Sequence, residues 1–228
     1  MKIDPIHPWN LGVKEAIALQ KRLRKRLRRR PPLKLGDIAT VAGADIAIDS
    51  RGTTAIGAVV VLTFPALEPV EARTVRARLA FPYVPGLLSF REIPVLLVAL
   101  SKIKAEVDVL LCDGQGIAHP RGIGLASHLG LCIGIPTIGC AKSRLVGEHG
   151  PVGTERGSFA PLIYRGARVG SVVRTRTGVK PLFVSPGHMI DMASSRRIVL
   201  ACAPRFRLPE PTRLAHIAAG AAKKTSTR

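Results

Sequence analysis

Acidic side chains are scarce in this chain. Only 15 Asp and Glu stand against 35 Lys and Arg in 228 residues, a formal charge of +20 with an isoelectric point near 11.1. Such an excess costs self-repulsion and no fold requires it. It points to a polyanionic partner, nucleic acid first and an anionic membrane surface second. Aromatic residues are 4% of the chain against 46% apolar residues in all, so the core has to be aliphatic. The four cysteines (Cys112, Cys132, Cys140, Cys202) form no CxxC pair and no zinc spacing, and read as free, buried thiols of a reducing cytoplasm. No apolar run reaches a membrane span, and the N-terminus lacks the layout of a signal peptide. Amides are nearly missing, with Asn10, Gln20 and Gln115 making up the set; together with arginine outnumbering lysine, this fits a hot habitat or a GC-rich genome.

What remains suffices for one domain over residues 1–228 with a full core. Residues 12–30 carry a helical stripe of Ala16, Leu19, Leu23 and Leu27 ringed by cations, stopped by Pro31-Pro32. This basic helix is either a solvated face or a phosphate-contacting one. Three strand-like segments follow at 38–49, 54–64 and 70–81, joined tightly enough for an antiparallel meander, the third with a wet basic face. Residues 89–105 predict a helix that admits Pro94 in its first turn if Ser89 caps it. A buried strand (107–114), a helix (122–134), a strand (136–142), a looser meander (155–188) and a helical stretch from Met192 come next, and residues 221–228 read as a disordered tail. Three antiparallel strands, a helix, then strands alternating with helices is the order of a ribonuclease H-like fold, a mixed sheet with helices on both faces. On order alone it is one of several α/β arrangements.

The few acids are informative by position. Asp45 sits inside the first strand between Ala44 and Ile46, where a carboxylate is costly unless it meets a cation. Asp113 ends the apolar run VLLC; alone, it reads equally as a turn residue before glycine. Glu92 alone reads as a first-turn helix acid. If the first and fourth strands are neighbours, Asp45 and Asp113 project to one spot that Glu92 can reach. Clustered carboxylates repel unless a divalent ion neutralises them, and an all-oxygen set favours Mg²⁺ or Mn²⁺. A hard cation on a basic protein suits phosphodiester hydrolysis, with Lys142 at the next strand's end either a phosphate neighbour or an ordinary terminal lysine.

The stretch FPYVPGLLSFRE (81–92) holds Tyr83 between Pro82 and Pro85, rings that stiffen the backbone on both sides. A core aromatic does not need that; an aromatic that must stand still for a partner does.

These pieces resemble the endonuclease V family, which nicks nucleic acid at deaminated adenine. The likeness runs from about residue 10 to 217 through GADIA, PYVPGLLSFRE, DGQGIAHPRGIGLASHLG, GCAKSRL, VSPGH and LPEPTRLAHI, six motifs in order. The resemblance implies a ribonuclease H-like fold and Mg²⁺ held by Asp45, Glu92 and Asp113, with Mn²⁺ able to substitute. It gives Lys142 a place beside the phosphate and His119 one near the substrate. Tyr83 becomes a wedge that fills the gap left by the flipped nucleotide. A hypoxanthine pocket falls to Gly86, Leu88, Gly114, Gly124 and Leu125. The cut it implies is at the second phosphodiester 3′ of the lesion, leaving 3′-hydroxyl and 5′-phosphate. Many relatives carry aspartate where His216 stands, so His216 is either a further metal ligand or a surface residue. His188 touches phosphate or caps the next helix, and His7, His128 and His149 read as packing or surface residues.

The expected partner is DNA containing deoxyinosine, acted on by a monomer with no membrane contact. Inosine-containing RNA, a junction-type substrate, or binding without catalysis are the alternatives.

Overall fold

The computed structural model describes residues 3–4, 6–28 and 30–225. Runs of Val, Ile and Ala bounded by short polar turns build an antiparallel meander of β1 (Thr40–Ile48), β2 (Thr54–Thr63) and β3 (Pro69–Arg78). On β3 the side chains alternate between exposed and half-buried, as its sequence predicts. β3 ends the sheet, and Arg76 and Arg78 on its wet side discourage a further strand from adding.

The chain then crosses through α2 (Leu88–Ser101) to β4 (Val109–Cys112), and through α3 (Leu125–Ile133) to β5 (Thr137–Ala141). β4 lies parallel between β1 and β5, and β4 and β5 are buried along their whole length because both sheet faces are covered. β6 (Phe159–Tyr164), β7 (Ala167–Val173) and β8 (Leu182–Pro186) complete the order β3-β2-β1-β4-β5-β8-β7-β6. α2 and α3 cover one face over Ala42, Ala44, Val59, Ile93, Leu96 and Leu129. α4 (Met192–Ala201) and α5 (Glu210–Thr225) cover the other over Val41, Leu62, Leu111, Ile198 and Ala215. This is the mixed α/β, ribonuclease H-like arrangement that the strand order suggests. Each fully buried leucine or isoleucine in these layers is worth about 1.5–3 kcal/mol.

Two local devices set the site. Asp108 Oδ2 accepts from the backbone N–H of Ala39 at 2.8 Å and of Thr40 at 2.9 Å, pinning the start of β1 beside the start of β4. A one-residue slip would send every β1 side chain, Asp45 included, to the opposite face. Gly43 lets α5 lie close on β1, since a Cβ there would fall 2.0 Å from the Pro211 carbonyl.

Three expectations need correction. The N-terminal helix, α1 (Val13–Arg24), ends well before residue 30. Consecutive cations repel along a helix face, and the Arg28 backbone is instead taken by His188 Nδ1 and Met189 N–H. Arg29 lies outside the described residues. Ser89 does not cap α2. Leu87 occupies that position, Ser89 is buried against His128, and Pro94 lies inside the helix with no N–H to give the Phe90 carbonyl. The expected tail is helical through Thr225, where Ala-rich residues prolong α5, while 226–228 lie outside the described residues.

Candidate active site

β1 and β4 run side by side with Ala44 opposite Cys112, and the Asp113 N–H donates to the Ala44 carbonyl at 3.3 Å. Asp45 and Asp113 therefore leave adjacent strands at the same level. Glu92 comes from the helix packed over them. Burial, then the Asp45 and Asp113 charges, push its carboxyl up to about 8. Asp45 is also raised, mainly by burial; a hydrogen bond from His216 opposes the shift and the Asp113 charge adds to it. The three acids thus feel one another, as the neighbouring of the first and fourth strands requires.

Two basic groups lie against them. The Lys142 ammonium, one residue beyond β5, pairs with Asp113 Oδ2. His216 Nδ1, on α5, lies 2.7 Å from Asp45 Oδ2. His216 follows from the Gly43 contact: α5 passes close over β1, and Asp45 lies two residues on from Gly43 on the same face.

Beside the acids opens a cavity of about 390 Å³. One wall is the tyrosine loop, with Tyr83, Pro85, Gly86 and Leu88; another is Gly114, His119, Gly124 and Leu125; Asp113 and Lys142 stand at the lining. Pro82 is exposed but outside the lining. The loop is anchored by buried Phe81 and Leu87, yet Tyr83 between them is 71% exposed.

His119 lines this cavity with both ring nitrogens engaged. Nδ1 accepts from the Arg121 N–H at 3.2 Å, so Nε2 carries the proton and donates to the Gly86 carbonyl at 3.1 Å. Burial, then the Arg121 charge, lower its pKa to about 4, so the ring is neutral. His188 is buried and accepts from Arg28, while Asp191 caps α4 through Ala193 and Ser194, so His188 is not that cap.

Sequence reasoning missed Ser143–Leu145 as a further wall, and Gln115, whose amide donates to the Ser143 carbonyl at 3.1 Å. It also missed Gln20 and Arg121 behind the tyrosine loop. The scarcity of amides was the available signal, since two of the three lie at this site.

A family model for endonuclease V matches residues 21–217. The chain belongs to the endonuclease V family. An endonuclease V of Trichormus variabilis is 49% identical over 215 residues, covering 94% of this chain and 97% of the relative. The crystal structure of endonuclease V from Streptomyces avermitilis superposes with a TM-score of 0.89 at 41% identity, covering 96% of each chain. That of Ciona intestinalis endonuclease V, bound to a 23mer DNA containing an inosine followed by a ribo-adenosine, superposes with a TM-score of 0.83 at 29% identity, covering 93% of this chain and 97% of that one.

As an endonuclease V family member the protein is a nuclease, a hydrolase acting on nucleic acid, and family nucleases are metal-dependent in general. Among the described residues no helix is long and apolar enough to cross a membrane. The donor chemistry here fits a hard cation: three carboxylates, one of them raised first by burial and then by the charge of the other two. The placement is not yet a coordination sphere. Among the described residues no three His, Cys, Asp or Glu side chains are arranged to hold a metal ion. Lys142 and His216 occupy one oxygen of Asp113 and one of Asp45, so a cation would compete with both.

Proposed function

We propose that this enzyme nicks DNA at deaminated adenine, flipping the hypoxanthine out of the duplex and hydrolysing the second phosphodiester on its 3′ side. The observation that carries this reading is the single cavity of about 390 Å³ that joins the exposed tyrosine loop to Asp113 and Lys142. A flipped base needs a pocket next to a group that holds the duplex apart, and the cut needs acids within reach of the backbone.

In this reading Tyr83 enters the stack in place of the lesion. Pro82 and Pro85 stiffen it, and Gly86, Leu88, Gly114, Gly124 and Leu125 receive the base. Asp45, Glu92 and Asp113 would hold Mg²⁺, or Mn²⁺ in its place, with His216 orienting Asp45. The ion supplies Lewis acidity toward water and phosphate. Lys142, kept at the site by Asp113, offsets the charge that grows on the scissile phosphate. Water oxygen bonds to phosphorus and the bond to the 3′-oxygen breaks. The water gives up one proton and the 3′-oxygen takes one up, so one water is added in all and the ends are 3′-hydroxyl and 5′-phosphate.

The test is an inosine duplex against its undamaged match, each with Mg²⁺. Nicking of the first alone is expected; equal cutting of both, or of neither, overturns the reading. The ribo-adenosine in the Ciona intestinalis complex favours a second reading, inosine-containing RNA as substrate. A third oligonucleotide with one ribonucleotide 3′ of the inosine separates the two. Faster cutting of that strand than of the all-deoxy strand assigns the RNA reading.

A further inference from the structure

We propose that Gln20, His119 and Arg121 clamp the Gly86 carbonyl and thereby hold the tyrosine loop, and that Gln20 is a positioning residue for duplex substrates. This rests on the wedge reading of Tyr83.

Gly86 closes the bend that begins at Pro82. Its φ of +78° suits glycine, and a Cβ there would lie 2.6 Å from Arg121 Nη2. Its carbonyl receives three donors: Gln20 Nε2 at 3.0 Å, His119 Nε2 at 3.1 Å, and Arg121 Nη2. Gln20 is 1% exposed, on the inward face of α1, and uses both ends of its amide, since Oε1 accepts from Arg121 Nε. A buried polar side chain without partners is costly, so each member of this network holds the others in place. The other end of the loop is tied as well: Arg91 donates to the Phe81 carbonyl at 3.1 Å and to the Gly52 carbonyl at 2.7 Å. Four residues, Pro82 to Pro85, lie between the two ties, and Tyr83 stands exposed among them.

A side chain that fills a gap in a base stack must be ordered before it binds, or the ordering is subtracted from affinity. Rigidity therefore matters where a stack has to be held open, and matters little on a single strand whose bases are already free. That difference separates a positioning role from a merely structural one.

The experiment compares kcat and KM on an inosine duplex and on the same inosine strand unpaired, for wild type, Gln20→Leu, Gln20→Glu and Tyr83→Ala. Gln20→Leu is expected to lose about tenfold in kcat/KM on the duplex, chiefly through KM, and to stay within about twofold on the single strand. Gln20→Glu keeps the acceptor for Arg121 but not the donor to Gly86, and should fall between. It also carries the test if the leucine variant fails to fold. Equal losses on both substrates, or no loss on either while Tyr83→Ala loses duplex activity, overturn the clamp. A Tyr83→Ala enzyme with unaltered duplex activity overturns the wedge reading instead, and the clamp with it.

Discussion

At the scale of single residues, two carboxylates of the site each hold a basic partner, Asp113 with Lys142 and Asp45 with His216. The sequence brings these residues to the site without showing which acid each meets. Asp45 could be singled out because a carboxylate within a strand of Ala and Ile needs a reason, and Asp113 because it ends an apolar run. That Lys142 and His216 would lie on those carboxylates depends on β5 following β4 and on α5 crossing β1, contacts hidden from local pattern. The pairs suggest different costs on mutation. Asp113→Asn and Asp45→Asn each remove a carboxylate from the proposed metal set while leaving the cations around the site in place. Cleavage is expected to fall by at least about 10³-fold while affinity for an inosine duplex holds or tightens, as less negative charge faces the DNA. Cleavage assays and fluorescence anisotropy on the same preparations check both halves. His216→Ala leaves the carboxylate and takes only its orienting partner. A loss of about 10- to 100-fold is expected, the usual range for a group that aligns a ligand. A loss as large as that of Asp45→Asn would make His216 a ligand instead.

Among the elements, strands were easier to read than helix ends. β1, β2 and β3 announce themselves by β-branched runs between turns, but the bounds of α1 and α2 are set by tertiary partners. Ser89 looked like a cap because serine usually is one; here Phe90 and His128 pack around it and its hydroxyl serves His128. That contact belongs to a chain of hydrogen bonds tying the N-terminal segment to α2 and α3. Ser89 Oγ–H donates to His128 Nδ1 at 3.0 Å, His128 Nε2–H to His7 Nε2 at 2.7 Å, and His7 Nδ1–H to the Pro8 carbonyl at 2.7 Å. The order holds His7 neutral, because a second proton on its Nε2 would face the His128 N–H. Burial lowers both pKa values, that of His128 to about 3. In the unfolded chain they return to about 6.5, so between pH 6.5 and 3 the unfolded state binds more protons and stability falls with acid. His128 alone should cost about 2 kcal/mol at pH 5 relative to pH 7. Glu92, raised above its unfolded value, contributes in the opposite direction as pH falls from about 8, so the histidine share is read by difference. Urea midpoints at pH 7 and pH 5 should drop less in a His128→Gln variant than in wild type. An equal drop in both would place the acid sensitivity elsewhere.

For the whole molecule, charge predicted the class of partner correctly but not where that partner lies. The net +20 is a property of composition; its distribution needed the fold. A second cavity, about 320 Å³, shares His119 with the first and is ringed by Arg24, Arg28, Arg165 and Arg168. Arg24 ends α1, Arg28 lies in the segment after it, and Arg165 and Arg168 come from the β6–β7 hairpin, far apart in sequence; no side-chain carboxylate lines the cavity. Cations gathered without acids beside a nuclease site are suited to the backbone of the bound duplex. Each phosphate they neutralise releases condensed counterions, so log K falls with log salt by about 0.9 per contact. The duplex affinity of the wild type should therefore drop steeply between 50 and 200 mM KCl, by about 10³-fold if some six phosphates are engaged. Removing two arginines in an Arg28→Ala/Arg168→Ala enzyme should reduce the slope by about 2 and weaken inosine-bearing and undamaged duplexes alike, because phosphate contacts carry no base information. Anisotropy titrations over that range on both duplexes give slope and selectivity together. An unaltered slope would place the backbone on another face, and a loss confined to the inosine duplex would mean that these arginines act on the lesion itself.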